Sequence, residues 1–152
     1  MNTSAKTKLL PRIGIVVAGV AALAIAAALS SCAATPQQTI KIQLQSNAGT
    51  GYEWVVDGET PSTLQQVESN VEPQGDEDLV GGPLVTTYIF QSQAEGDGTI
   101  SFRLERAGVP ADDDLQVTYR FTVDKNLDVT FDGSEGAYLE GEEIPAPEIY
   151  AQ

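Results

Sequence analysis

Asn47-Ala48-Gly49-Thr50-Gly51-Tyr52-Glu53-Trp54 reads as a small-residue loop running into the start of a strand. Gly49 and Gly51 let the backbone take a positive φ and come close to another surface. Asn47 and Thr50 can brace such a loop through hydrogen bonds from side chain to nearby backbone. Tyr52 and Trp54 flank Glu53 with the two-residue period of a strand, and their size fixes the loop to the edge of a packed core. The plain reading of Asn47–Tyr52 is a turn between strands, since Asn and Gly are ordinary turn residues. The sharper reading is a loop presented to a partner from a rigid β scaffold.

The segments on either side carry the same period. Ile40, Ile42 and Leu44 alternate with Lys41 and Gln43, and Tyr52, Trp54 and Val56 form a second strand. Leu64 to Glu68 is a weaker third, and Leu84 to Gln91 is a fourth, rich in Val, Thr, Tyr, Ile and Phe. Ile100, Phe102 and Leu104 mark a fifth strand, and Leu115, Val117, Tyr119, Phe121 and Val123 a sixth. Leu127, Val129 and Phe131 allow one more. No helical period competes with these, so the expected fold is an all-β antiparallel sandwich of six to seven strands. If consecutive strands alternate in direction, the connections at Ser46–Gly51, Ser69–Pro83 and Arg106–Asp114 share one end of the sandwich. Those three are the unusual ones, whereas Asp57–Ser62 and Ser92–Gly98 read as plain polar turns.

The first 31 residues read as a leader, not as fold. Lys6, Lys8 and Arg12 precede an apolar run from Ile13 to Leu29, and Ser30-Ser31 lead to Cys32, the single cysteine of the chain. This is the pattern of a secretory signal peptide. In its final residues, Leu29-Ser30-Ser31-Cys32, it resembles the bacterial lipobox, whose cysteine is lipidated and becomes the mature N-terminus. A permanent anchor is the alternative, although the run is at the short end of a membrane span. The expected organisation is a signal peptide at 1–31, a lipidated spacer at 32–38, a sandwich at 39–126 and an acidic tail at 127–152, partly disordered or docked at the periphery. The expected location is the cell membrane, lipid-anchored and facing away from the cytoplasm.

Composition narrows the chemistry. Three of the eight basic residues but none of the 22 acidic ones precede Cys32, which takes the net charge from −14 to −17 for the remainder. Charge attraction to nucleic acid or to an anionic membrane surface is therefore not expected. The chain has no histidine, so Ser-His-Asp and Cys-His catalysis, His-ligated zinc and imidazole base chemistry are all excluded. With no mature thiol either, the expectation is a monomeric binding protein without cofactor, not an enzyme.

Asn47, Thr50, Gly51, Tyr52 and Trp54 match, at the same spacing, the first loop of the chagasin-like inhibitors of papain-type cysteine proteases. In that family the loop typically reads Asn-Pro-Thr-Thr-Gly-Tyr/Phe with Trp two residues later. Gly81-Gly82 resembles the family's glycine-rich second loop, and Arg106, after Ser-Phe-Arg-Leu-Glu, resembles the Arg that opens its third. The resemblance covers about residues 38–124 and implies an immunoglobulin-like sandwich that presses three loops into a protease's active-site cleft. It implies contact residues Asn47, Ala48, Gly49, Thr50, Gly51, Tyr52, Gly81, Gly82, Arg106, Ala107 and Gly108. Four positions depart from the pattern: Ala48 stands for Pro, Gly49 for Thr, and Ala107-Gly108 for Pro-Trp. The alternative role on the same fold is a non-inhibitory envelope binding module.

One acidic pattern suggests a different partner. Asp124, Asn126, Asp128, Asp132 and Glu135 follow the ligand spacing of a calcium loop, although Val129 stands where such a loop needs Gly. They are weak candidates for a calcium-binding surface lipoprotein.

Overall fold

Side chains along Gln38–Asn47 (β1) alternate between fully enclosed Ile40, Ile42 and Leu44 and the more exposed Lys41, Gln43 and Gln45, as a strand with one face on a core requires. A computed structural model describes residues 36–74 and 82–151. The other strands are β2 (Tyr52–Asp57), β3 (Leu64–Pro73), β4 (Pro83–Ser92), β5 (Gly96–Arg106), β6 (Leu115–Val123), β7 (Val129–Gly136) and β8 (Glu148–Ala151). They form two four-stranded sheets with orders β3-β4-β1-β8 and β2-β5-β6-β7. Every pairing is antiparallel. The fold is an immunoglobulin-like β-sandwich.

The inner faces meet in an aromatic seam. Tyr88 and Phe102 lie with ring centroids 4.8 Å apart, Phe102 meets Tyr119 edge-on at 5.9 Å, and Phe121 contacts Phe131 at 5.6 Å. Burial of each such ring contributes roughly 2–3 kcal/mol. No disulfide supplements this packing, because Cys32 is the sole cysteine.

Among the described residues eight strands form where six to seven were expected. β3 runs on to Pro73, beyond the Glu68 limit expected from its sequence, and bulges between Gln66 and Glu68. It lies at a sheet edge and only Leu64 is buried, so most of its length carries no apolar period. The segment after Lys125 does not behave as a loose tail. β7 pairs with β6 along Val117–Val123, and β8 pairs with Gln38–Lys41 of β1, so each sheet takes one edge strand from it. Leu127, Tyr138, Leu139, Ile144 and Ile149 pack against the core. These scattered contacts hold the segment despite its acidity.

The exit from β7 depends on Gly136. Its φ is +120°, and a Cβ there would lie 2.1 Å from the Gln116 carbonyl oxygen, while Ala137 N–H donates to that same oxygen at 2.8 Å. Gly136→Ala is expected to destabilise the fold by about 2–4 kcal/mol, read as a lowered denaturant midpoint with an unchanged m-value.

Candidate functional site

The first connection is a single 3-10 turn, Ala48–Thr50, held by its own polar side chains. Asn47 Oδ1 accepts from Gly49 N–H at 2.9 Å, and Thr50 Oγ1 donates to the Asn47 carbonyl at 2.7 Å. Tyr52 N–H closes back on Thr50 Oγ1 at 3.4 Å. Gly51 ends the turn in the left-handed region at φ 72°, which glycine adopts without steric cost. Asn47 through Tyr52 are all exposed. The loop is thus short, polar and internally cross-linked without the proline of the resembling motif.

Two backbone hydrogen bonds tie this loop to its neighbours. Ala48 N–H donates to the Gly82 carbonyl at 3.1 Å, at the end of the second connection. Ala107 N–H donates to the Gly51 carbonyl at 3.4 Å, at the start of the third. The strand register matches: Asn47 lies opposite Pro83, and Tyr52 opposite Arg106. The three connections therefore share one end of the sandwich. Gly81 falls outside the described residues, as do Cys32 and the leader before it.

The third connection opens with a tight reversal. Val109 N–H donates to the Arg106 carbonyl at 3.1 Å, with Ala107 at φ 55° and Gly108 at φ 69°. Two successive positive φ values are those of a type I′ turn; Ala107 accepts a conformation that usually falls to Asn, Asp or Gly. The Arg106 guanidinium lies 6.0 Å from the centroid of the Tyr52 ring, at the outer limit of a cation–π contact worth about 0.5–1 kcal/mol on an exposed surface. Farther on, Asp114 Oδ2 accepts from Ala111 N–H at 2.7 Å. Beneath this end, Tyr52, Leu104, Asp113, Asp114 and Leu115 line a cleft. Tyr52 is 37% exposed and Val109 67% exposed, which leaves two apolar surfaces beside polar loop tips.

The five candidate calcium ligands are not gathered into one set: Asp124, Asn126 and Asp128 share a turn, and Asp132 and Glu135 have other partners. Asp124 Oδ1 accepts from the backbone N–H groups of Asn126 and Asp128 at 2.7 and 2.9 Å. Those bonds, the one from Asp128 foremost, hold its carboxyl below the usual range. Asp132 accepts from the Thr122 hydroxyl at 2.8 Å, and Glu135 pairs with Arg120 at 2.8 Å. Because Val129–Gly136 is a strand, Asp132 and Glu135 are committed to cross-strand partners on β6. Among the described residues no three acidic groups could hold a metal ion.

Sequence reasoning missed the support beneath the first loop. The Trp54 indole N–H donates to the Gln45 carbonyl at 2.7 Å, and Gln45 N–H donates to Tyr138 Oη at 2.7 Å. Tyr138 also stacks on Trp54, with centroids 5.6 Å apart and planes 20° from parallel. Nothing in the local period of Ala137–Pro145 signals this contact. An aromatic residue in an otherwise acidic, proline-bearing stretch is the one trace it leaves in sequence.

Comparison with known proteins follows the same outline. The sandwich with three linked loops at one end is the architecture of a loop-presenting binding domain. Residues 33–123 match the family model described as Chagasin family peptidase inhibitor I42, and the chain belongs to that family. Members of the family are peptidase inhibitors, not enzymes. A solved structure similar to this chain is that of the cysteine protease inhibitor EhICP2 from Entamoeba histolytica. It is 27% identical, the match covers 54% of this chain and 75% of that one, and the TM-score is 0.46. No curated protein sequence matches significantly.

One buried phenol under the site has a measurable consequence. The Tyr88 hydroxyl donates to the Trp54 carbonyl inside the sandwich, and burial, aided by the charge of Glu53, pushes its pKa from 10.0 up to about 12. The folded value lies above the unfolded one, so this group's contribution to stability is complete below pH 10 and is lost as pH rises toward 12. Burial raises Tyr119 in the same direction. Unfolding free energy is expected to fall steeply across that window, and Tyr88→Phe to flatten part of the fall, as followed by denaturant melts at stepped pH.

Proposed function

We propose that this chain is a lipid-anchored, extracytoplasmic inhibitor that blocks papain-like cysteine proteases by occlusion. The observation that carries the reading is the joining of three loops at one end through the Ala48–Gly82 and Ala107–Gly51 hydrogen bonds. An element that must lie across a protease's nucleophile and resist cleavage needs a fixed backbone. The Asn47 and Thr50 side chains supply that fixity inside the first loop. Loops ordered before binding lose less conformational entropy in the complex.

In this reading the backbone at Gly49 and Thr50 covers the reactive cysteine of the enzyme. The segment at Gly81 and Gly82 approaches one wall of the groove, and Arg106, Ala107 and Gly108 approach the other. Tyr52 and Val109 provide the apolar contact, in place of a tryptophan in the third loop. No group of the inhibitor takes part in bond making or breaking, in keeping with a chain that has no histidine. Cys32 carries the lipid, and the residues before the sandwich act as its tether.

The domain from residue 33 onward is expected to inhibit papain competitively and reversibly, with activity recovered on dilution. Gly49→Trp and Val109→Asp are each expected to raise the inhibition constant by about tenfold or more, equivalent to at least ~1.4 kcal/mol, while leaving the thermal midpoint within a few degrees. Absence of inhibition at micromolar protein would overturn the reading and leave a non-inhibitory binding module. For the anchor, Cys32→Ala expressed from the full chain is expected to leave the membrane fraction and to take up no labelled fatty acid.

A further inference from the structure

The family match ends at Val123, yet a residue fifteen positions beyond it reaches the base of the first loop. Tyr138 contacts both stems of that loop at once. On the β1 side its Oη accepts the Gln45 N–H at 2.7 Å, two residues before Asn47 opens the turn. On the β2 side its ring stacks on Trp54 at 5.6 Å, three residues after Gly51 closes it. The stems are also joined to each other, through the Trp54 indole N–H and the Gln45 carbonyl at 2.7 Å. Gln45, Trp54 and Tyr138 therefore form a closed three-way junction directly under Asn47–Tyr52.

Tyr138 is itself held from both directions along the chain. Upstream, Ala137 N–H donates to the Gln116 carbonyl at 2.8 Å and fixes the segment to β6. Downstream, the Tyr119 hydroxyl donates to the Pro145 carbonyl at 2.9 Å, and β8 then pairs with the start of β1. These attachments fix the backbone on both sides of Tyr138. Burial raises the Tyr138 phenol, so at neutral pH its oxygen stays a neutral acceptor for Gln45.

We infer that Tyr138 is a positioning residue for the first loop, and that the C-terminal segment serves to hold that loop in its binding conformation. This rests on the reading of Asn47–Tyr52 as the inhibitory element, but it makes a separate claim about loop rigidity. Removing the Oη acceptor leaves the Gln45 N–H unpaired at the root of β1. Removing the ring uncovers one face of Trp54. Either change lets the two stems move apart, and the loop then has to be ordered on binding.

Tyr138→Phe keeps the stack and deletes the acceptor, whereas Tyr138→Ala deletes both. Ile149→Ala is the control, because it removes a core-packed side chain of the same C-terminal segment at β8, on the strand pair that joins β8 to Gln38–Lys41. Amide hydrogen exchange at Gly49, Thr50, Gly51 and Tyr52 is expected to quicken by about tenfold in Tyr138→Phe and more in Tyr138→Ala, relative to β5 and β6 amides in the same molecule. Dissociation from papain is expected to accelerate about threefold to tenfold with little change in association rate. Ile149→Ala is expected to lower the thermal midpoint while leaving both quantities unchanged. Loop amides that track the global stability change in all three variants would overturn the inference. If the wild-type domain failed to inhibit papain, the exchange result would still decide the role of Tyr138, so the two claims fail separately.

Discussion

Strand β1 has a neighbour on both sides for only part of its length. β4 pairs with it from Thr39 to Asn47, but β8 stops at Lys41. Past that point the second edge of β1 needs other partners, because buried peptide groups left unpaired cost about 1–3 kcal/mol each. The indole of Trp54 and the phenol of Tyr138 take the Gln45 carbonyl and N–H in place of a neighbouring strand. This substitution lets β1 leave its sheet and turn over into β2, which belongs to the opposite sheet. The turn between them, Ala48–Thr50, is the loop on which the functional reading depends.

The same economy governs the rest of the loop end. The first and third connections are closed by a few specific polar bonds instead of bulk burial: Asn47 to Gly49, Thr50 to Asn47, Arg106 to Val109 and Ala111 to Asp114. Exposed loops held by internal bonds keep their backbone shape while leaving side chains free for contact. The aromatic seam below supplies the stability that these loops cannot. The Lys41–Glu148 and Arg120–Glu135 pairs lie at the surface, and such pairs contribute about 0–1 kcal/mol each; the Arg103–Asp57 pair, at 2.7 Å, is part-buried.

Strands with one face on the core were legible because the alternation survives in sequence. Ile40, Ile42 and Leu44, and Val117, Tyr119, Phe121 and Val123, occupy the core positions that their period assigns them. The gathering of three loops at one end followed from counting antiparallel strands. Strand β3 was legible only at its start, since an exposed edge strand with a bulge at Val67 has no apolar period to read. Strand β8 is four residues long and follows Pro145 and Pro147, so its pairing with β1 is a tertiary decision. The contact of Tyr138 with Gln45 spans 93 residues, and no local pattern encodes it. The spacing of acidic residues from Asp124 onward imitated a calcium loop because it was read without the strand that carries Asp132 and Glu135 to partners on β6.

The central claim, that one end of this sandwich occludes a protease cleft, is tested most directly by a hydrogen-exchange footprint. The domain would be compared alone and saturated with papain whose catalytic cysteine has been reversibly blocked by a small group. Protection confined to Asn47–Tyr52, the segment ending at Gly82, and Arg106–Val109 is the expected result. Protection centred on the exposed β3 edge or on β8, with the three loops unchanged, would contradict it.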